Sequence, residues 1–159
     1  MNTLTSSLEF SHFPVMLSEI IQIASPEKGG LFIDCTFGGG SYSNALLKFP
    51  KTKVIGIDRD EAVISRANEL QKKYQKRFKF YQIKFSELDK ILNKNADTII
   101  FDLGLSSIQL KNLNRGFSFK SKNKLDMAMG LNNISAQEAI NNLSAVSYTH
   151  LTLPTTYGV

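Results

Sequence analysis

The sequence predicts an α/β fold built on a parallel sheet with helices on both faces, and three observations carry that prediction. Short apolar runs alternate with stretches whose apolar residues recur at helical spacing. A glycine-rich turn joins the first of those runs to a helical stretch. The composition, 42% hydrophobic and 21% charged over 159 residues, is that of one globular domain.

Pro14 opens "PVMLSEIIQIA", where Met16, Ile20 and Ile23, flanked by Leu17 and Ile21, predict a first helix, stopped by Pro26, Gly29 and Gly30. "LFIDC" reads as a short buried strand, and "SYSNALLKF", after the glycine turn, as a helix ending at Pro50. "KVIGID" is the second strand. A helix from Asp60 carries Val63, Ala67, Leu70 and Tyr74 on one face, with Lys72, Lys73, Lys76 and Arg77 near its C-terminal end, where cations suit the helix dipole. "FKFYQI" is the third strand, "SELDKIL" a short helix started by Ser86, and "DTIIFDLG" the fourth strand. Beyond Leu103 the pattern is irregular until "SAQEAINNL", a helix introduced by a capping box of Ser135 and Glu138. Successive strand–helix–strand crossovers imply parallel pairing.

Composition narrows the classes further. A net charge of +5 fits either an anionic partner or a lysine-rich surface. The single cysteine, Cys35, excludes an internal disulfide and a multi-cysteine zinc site, so no metal centre is expected, and its apolar surroundings predict a packed thiol. No window approaches the roughly 20 apolar residues of a membrane span, and a soluble, cytoplasmic protein is expected. Residues 139 to 159 contain no Asp, Glu, Lys or Arg, although the chain before them is charged throughout. That break predicts a non-native tail from Val146, resembling translated sequencing-adapter sequence, on an N-terminal fragment of a longer protein.

The strand, glycine turn and helix start bring backbone N–H groups and a positive dipole end to one point. As a dinucleotide fingerprint, Gly38, Gly40 and Ser43 fill the glycine pattern imperfectly. Three acids close strands: Asp34 the first, Asp58 the second and Asp102 the fourth. They are expected to line the carboxyl edge of the sheet, where doubly wound folds bind ligands. A pyrophosphate is repelled by Asp34, whereas a cationic amino-acid moiety is attracted. Asp58 suits a ribose diol, and Phe85, after the third strand, suits an adenine face. S-adenosylmethionine, which has a sulfonium, an ammonium and a ribose but no phosphate, fits this set better than NAD.

The motifs "DCTFGGGSYS", "GIDRD", "FSEL", "FDLGLSSIQL", "RGFSF" and "LDMAM", with the leader "HFPVMLSEI", resemble in order and spacing the bacterial 16S rRNA cytosine-N4 methyltransferases, the RsmH/MraW family, over residues 12 to 142. The resemblance implies a Rossmann-like class I S-adenosylmethionine-dependent methyltransferase fold, here truncated. It implies residues 1–110 as the cofactor core, 111–145 as the start of an inserted helical substrate domain, and 146–159 as the non-native tail. It implies cofactor contacts at Gly40, Ser41, Tyr42, Asp58, Phe85, Asp102 and Gln109, and methyl transfer to a cytidine amine in the decoding region of the small ribosomal subunit. The fragment alone is expected to be inactive.

Two positions depart from the family pattern: Gly-Ser-Tyr at 40 to 42 replaces Gly-Gly-His, and Ala128 stands where the family has arginine. The cytosine amine is a poor nucleophile because its lone pair is delocalised. It needs positioning and an acceptor for developing positive charge, and Asp102 is the catalytic candidate, with cofactor orientation as its alternative role. Residues 111 to 124 hold five basic and no acidic residues together with Phe117 and Phe119, a pattern suited to RNA contact or to a solvated loop anchored by its aromatics.

Overall fold

In the computed structural model, residues 14–92, 95–131 and 134–147 are described. Four parallel strands form one sheet in the order β3-β2-β1-β4: β1 Gly30–Asp34, β2 Thr52–Asp58, β3 Phe78–Gln82 and β4 Thr98–Ile100. Asp34 pairs with Gly56 of β2 on one side and with Ile100 of β4 on the other, so β1 is central. Both β1 neighbours Phe32 and Ile33 are fully buried. Successive side chains of a strand face opposite ways, so both faces of the sheet are covered.

On one face Phe32, Val54, Phe78 and Ile100 pack with α2 (Ser41–Leu47) through Leu46 and Leu47, and with α3 (Ile64–Tyr74) through Ala67 and Leu70. The α3 face is the one its periodicity predicts. On the other face Ile33, Cys35 and Ile57 meet Ile83, Leu88, Ile91, Leu92 and Ala96 from the β3-to-β4 connection. The chain therefore steps outward through β2 and β3 on one side of β1, then crosses beneath the sheet to β4 on the other side. Between β1 and β4 the direction of winding reverses, and the carboxyl ends of those strands diverge into a crevice.

Three local expectations change. The first helix, α1, spans Leu17–Ala24, and the stripe it buries is Leu17, Ile20, Ile21 and Ala24 rather than Met16, Ile20 and Ile23. Met16 and Ile23 are exposed. Both stripes have helical spacing, but only the first continues through all of i, i+3, i+4 and i+7 and ends on a small residue. The helix expected from Ser86 is a 3₁₀ segment, Phe85–Lys90, entered from Lys84 and broken by non-helical geometry at Glu87. The described cover on that face is thus a 3₁₀ turn rather than an α-helix. The fourth strand stops at Ile100, and Asp102 lies two residues beyond it.

After β4 come two short helices, α4 (Ser107–Lys111) and α5 (Ala136–Asn142). Both start with capping boxes, Ser106 with Gln109 and the expected Ser135 with Glu138. No described helix is long and apolar enough to cross a membrane. The leader up to Phe13 lies outside the described residues, and so does the tail predicted as non-native from Val146, except for Val146 and Ser147.

Candidate functional site

The turn after β1 is fixed by one aromatic side chain. Phe37 donates its N–H to the Ile57 carbonyl at 3.0 Å and lays its ring against Phe78 and Phe80, with centroids 5.7 and 5.2 Å away. A Cβ at Gly56 would lie 2.8 Å from that ring, and one at Gly40 2.7 Å from it. Gly40 also has φ 73°, so both space and backbone conformation require glycine there. Gly40 then starts α2, with Ser41 as its first residue and Tyr42 as its second.

Around this turn lies a cavity of about 600 Å³, within the roughly 300–1,000 Å³ typical of small-molecule sites. Its walls are the turn itself, the ends of β2 and β3, and the segment after β4. Ser41, Tyr42, Asp58, Phe85, Asp102 and Gln109, six of the seven expected contact residues, line it; Gly40 is set just behind, against Phe37. Gly39 and Gly104 line it as well, and a Cβ on either would meet open space. The backbone is therefore approachable at both.

Asp58 is half-buried and holds the turn. Its Oδ2 accepts the Gly38 N–H at 2.8 Å and its Oδ1 accepts the Asp60 N–H at 2.9 Å. Burial raises its pKa above the ordinary carboxylate value, against the opposing effect of those two N–H groups. Phe85 is 46% exposed and meets Phe101 edge to face at 5.5 Å, which leaves a ring surface turned to the cavity side. Asp102 is exposed. Its N–H donates to Thr36 Oγ1 at 2.8 Å, and its carboxylate accepts from the Tyr42 hydroxyl at 3.3 Å. The same hydroxyl donates to the Val15 carbonyl at 2.5 Å. Tyr42 is buried, and burial together with the Asp102 charge pushes its pKa up to about 12, so it stays a donor.

Asp34 is not on the rim. It is fully buried beneath α2, does not line the cavity, and accepts the Ser43 hydroxyl on Oδ2 at 2.8 Å, while Oδ1 has no hydrogen-bond partner. Burial raises its pKa to about 6. Ser43 thus occupies the third-glycine position of the fingerprint because its hydroxyl serves this carboxyl. The acidic rim reduces to Asp58 and Asp102, and Arg59 and Lys84 line the same cavity. Cys35 is buried as expected, with its thiol pushed up to about 11 by burial and by the Asp34 charge.

Gln109 reaches the cavity wall with both amide atoms engaged. Its Oε1 accepts the Ser106 N–H at 3.0 Å and its Nε2 donates to Asp60 Oδ2 at 2.8 Å. Asp60, the second acid of "DRD", is a structural link behind the site that the sequence reading misses. It is 1% exposed and also accepts from the Ala62 N–H and from Arg115, whose Nη2 lies 2.8 Å from Oδ2. Burial opposes its charge, but the bonds from Arg115, Gln109 and Ala62 outweigh it and hold its pKa below the usual carboxylate value. Thr36 and Val15 were also missed, since neither residue type signals its role.

The basic segment divides. Phe117 is buried, with the Arg115 guanidinium over its ring at 5.3 Å, whereas Phe119 is fully exposed beside exposed Lys120. Arg115 also donates to the Ala128 carbonyl at 2.6 Å. At this departure from the family pattern, the backbone is what the fold uses. Among the described residues no cluster of His, Cys, Asp and Glu is suited to a metal ion.

Comparison with known proteins adds the lineage. The ribosomal RNA small subunit methyltransferase H of Rickettsia massiliae is 45% identical over 132 residues, 82% of this chain and 43% of that protein. That of Rickettsia akari is 42% identical over 134 residues, 84% and 44% respectively, and that of Ehrlichia ruminantium 40% over 141 residues, 85% and 47%. The chain spans less than half the length of these curated relatives. A family model described as the MraW methylase family matches residues 9–157. With parallel strands wound about a glycine turn, and with that model matched across nearly its whole length, the chain belongs to the MraW methylase family.

Proposed function

We propose that this chain forms the cofactor-binding part of an S-adenosylmethionine-dependent methyltransferase acting on the N4 amine of a cytidine in the decoding region of 16S rRNA, in the cytoplasm. The observation that carries the reading is the crevice between β1 and β4, in which Asp58, Phe85 and Asp102 face one cavity around the Gly38 to Gly40 turn. The residues fit the cofactor. Asp58 has carboxylate lone pairs beyond the two already used, enough to accept from a ribose diol. Phe85 offers an apolar face for adenine, and open backbone at Gly39 and Gly104 admits the amino-acid arm. The cofactor, when bound, supplies an electrophilic methyl group.

Asp102 lines the crevice, held through its own N–H by Thr36 and 3.3 Å from the Tyr42 hydroxyl, and we assign it to the substrate side. From there it accepts a hydrogen bond from the cytosine amine and favours the positive charge that grows on nitrogen during transfer. Gly40, Ser41, Tyr42 and Gln109 complete the cofactor wall: Gly40 sets the turn, Ser41 and Tyr42 present the start of α2, and Gln109 closes the side toward α4. Residues 111–124 contact RNA phosphates through exposed Lys111, Lys120, Lys122 and Lys124, with Phe119 free to stack on an unpaired base. Phe117 is the anchor of that loop. Residues 1–110 are then the cofactor core and 111–145 the start of the substrate part.

Calorimetry tests the reading. S-adenosylmethionine binds the chain, NAD does not, and Asp58→Ala weakens cofactor affinity at least about tenfold, the loss expected for charge-assisted hydrogen bonds. Unchanged affinity in that variant would remove Asp58 from the ribose. The 159 residues alone bind cofactor without methylating small-subunit RNA.

A further inference from the structure

We propose that Asp60 is a positioning residue that makes cofactor binding and the seating of the 112–130 segment one linked event. The proposal rests on the cofactor reading of the crevice, but its two central residues, Asp60 and Arg115, do not line the cavity.

Asp58 and Asp60 are tied back to back at the end of β2. The N–H of Asp60 is donated to Asp58 Oδ1, and the other oxygen of Asp58 holds the glycine turn through Gly38. The side chain of Asp60 points away from the cavity and is saturated. Oδ1 accepts from the Ala62 N–H at 3.0 Å and Arg115 Nη1 at 3.1 Å, and Oδ2 accepts from Gln109 Nε2 at 2.8 Å and forms an ion pair with Arg115 Nη2 at 2.8 Å. Arg115 in turn carries the loop: it reaches the Ala128 carbonyl, covers the ring of Phe117, and its own carbonyl accepts the Met127 N–H at 2.8 Å. Gly130 then presses on β2's exit so closely that a Cβ there would lie 2.0 Å from the Arg59 carbonyl oxygen.

One buried carboxylate therefore joins the cavity acid, α4 and the loop. If the loop lifts, Asp60 loses the guanidinium that faces both its oxygens and keeps only the neutral Ala62 and Gln109 donors, so a carboxylate at 1% exposure is left without its counter-charge. It must reach for water, taking its backbone N–H from Asp58. The orientation of Asp58 that meets a ribose then exists only with the loop seated. By linkage, a ligand that selects that orientation must protect the loop by the same factor.

Hydrogen exchange on the chain reads this directly at residues 113–127, none of which lines the cavity. Saturating S-adenosylmethionine slows exchange there about fivefold or more, the low end of ordinary coupling between sites. Arg115→Met weakens cofactor affinity by a similar factor and abolishes the ligand-induced protection, while amides of β1 to β3 stay protected. Arg115→Lys, which restores the charge without the fork, lies between the two. In the chain without ligand, Asp58→Asn speeds exchange at 113–127, because asparagine has one acceptor for the two N–H groups that Asp58 serves. Wild-type affinity in a folded Arg115→Met overturns the coupling, as does an unmoved loop in Asp58→Asn. If the wild-type chain binds no S-adenosylmethionine, the cofactor reading fails, and the ligand-free Asp58→Asn measurement alone decides whether the two regions are coupled.

Discussion

The sheet and the segment after β4 are held together by different kinds of force. In the first, Phe32, Ile33, Leu46, Leu47 and Ile57 are completely buried, and the polar groups among them are few and local. In the second, Leu103, Leu105, Leu110, Leu113, Phe119 and Leu125 are exposed, and the segment is held by Arg115, Gln109, Phe117 and a set of turn hydrogen bonds. Non-directional burial tolerates small shifts of partner, whereas a guanidinium fork on a carboxylate accepts one geometry. The sheet thus supplies stability, and the later segment supplies position.

The largest effect is expected where the first kind of force is densest. Phe32→Ala empties the centre of the sheet and costs about 3–5 kcal/mol, read as a lower denaturant midpoint for the whole molecule. A loss below about 1 kcal/mol would mean that the sheet is not the stabilising half. The two aromatics of the basic loop come next. Phe117→Ala removes the apolar anchor and costs about 3 kcal/mol, seen first as faster proteolysis between residues 112 and 130. Phe119→Ala changes stability by less than about 0.5 kcal/mol but, on the proposed RNA-contact role of residues 111–124, weakens binding to single-stranded RNA by about 1–3 kcal/mol. Equal stability losses in the two variants would erase the distinction between anchor and platform.

Asp34 sets a pH test inside the sheet. Its pKa is raised to about 6 in the folded chain, so the folded state holds the proton more tightly than the unfolded one. The stability associated with the protonated form is complete below about pH 4 and is lost as pH rises through 6. Asp34→Asn, which has no charge to lose, is therefore expected to be more stable than wild type at pH 7, by up to ~3 kcal/mol, with the gap closing toward pH 4. Thermal melts at several pH values check it, and a constant gap would show that Asp34 is ionised throughout. The smallest effect belongs to Ser135→Ala at the start of α5: about 1 kcal/mol of local helix stability, visible by exchange at the α5 amides and hardly at all in the global melt.

The same division explains what was legible in the sequence. β1, β2, β3 and α3 were readable because their partners are their own neighbours in pattern: apolar runs, a 3.6-residue stripe, a glycine turn. The stripe of α1 was misread because two sets of apolar residues share its spacing, and only contact with the sheet selects one. Asp34 was placed on the rim because its position in sequence matches that of Asp58 and Asp102. Which acid turns inward depends on Ser43, nine residues later in a different element. Arg115 reads in the sequence only as one basic residue of the 111–124 segment, because the carboxylate that holds it lies 55 residues earlier in the chain. Local pattern carries secondary structure, but the pairing of distant polar groups is written only in three dimensions.

The hydroxyl of Tyr42 has one proton and stands before two acceptors, the Val15 carbonyl at 2.5 Å and the Asp102 carboxylate at 3.3 Å. Pulling Val15, two residues ahead of α1, away from the crevice does not strand that proton, because a second home is already within reach. The free-energy difference between the two positions is that of an exchange rather than a broken bond. Whatever enters the crevice and displaces Val15 delivers a stronger hydrogen bond to Asp102 in the same movement.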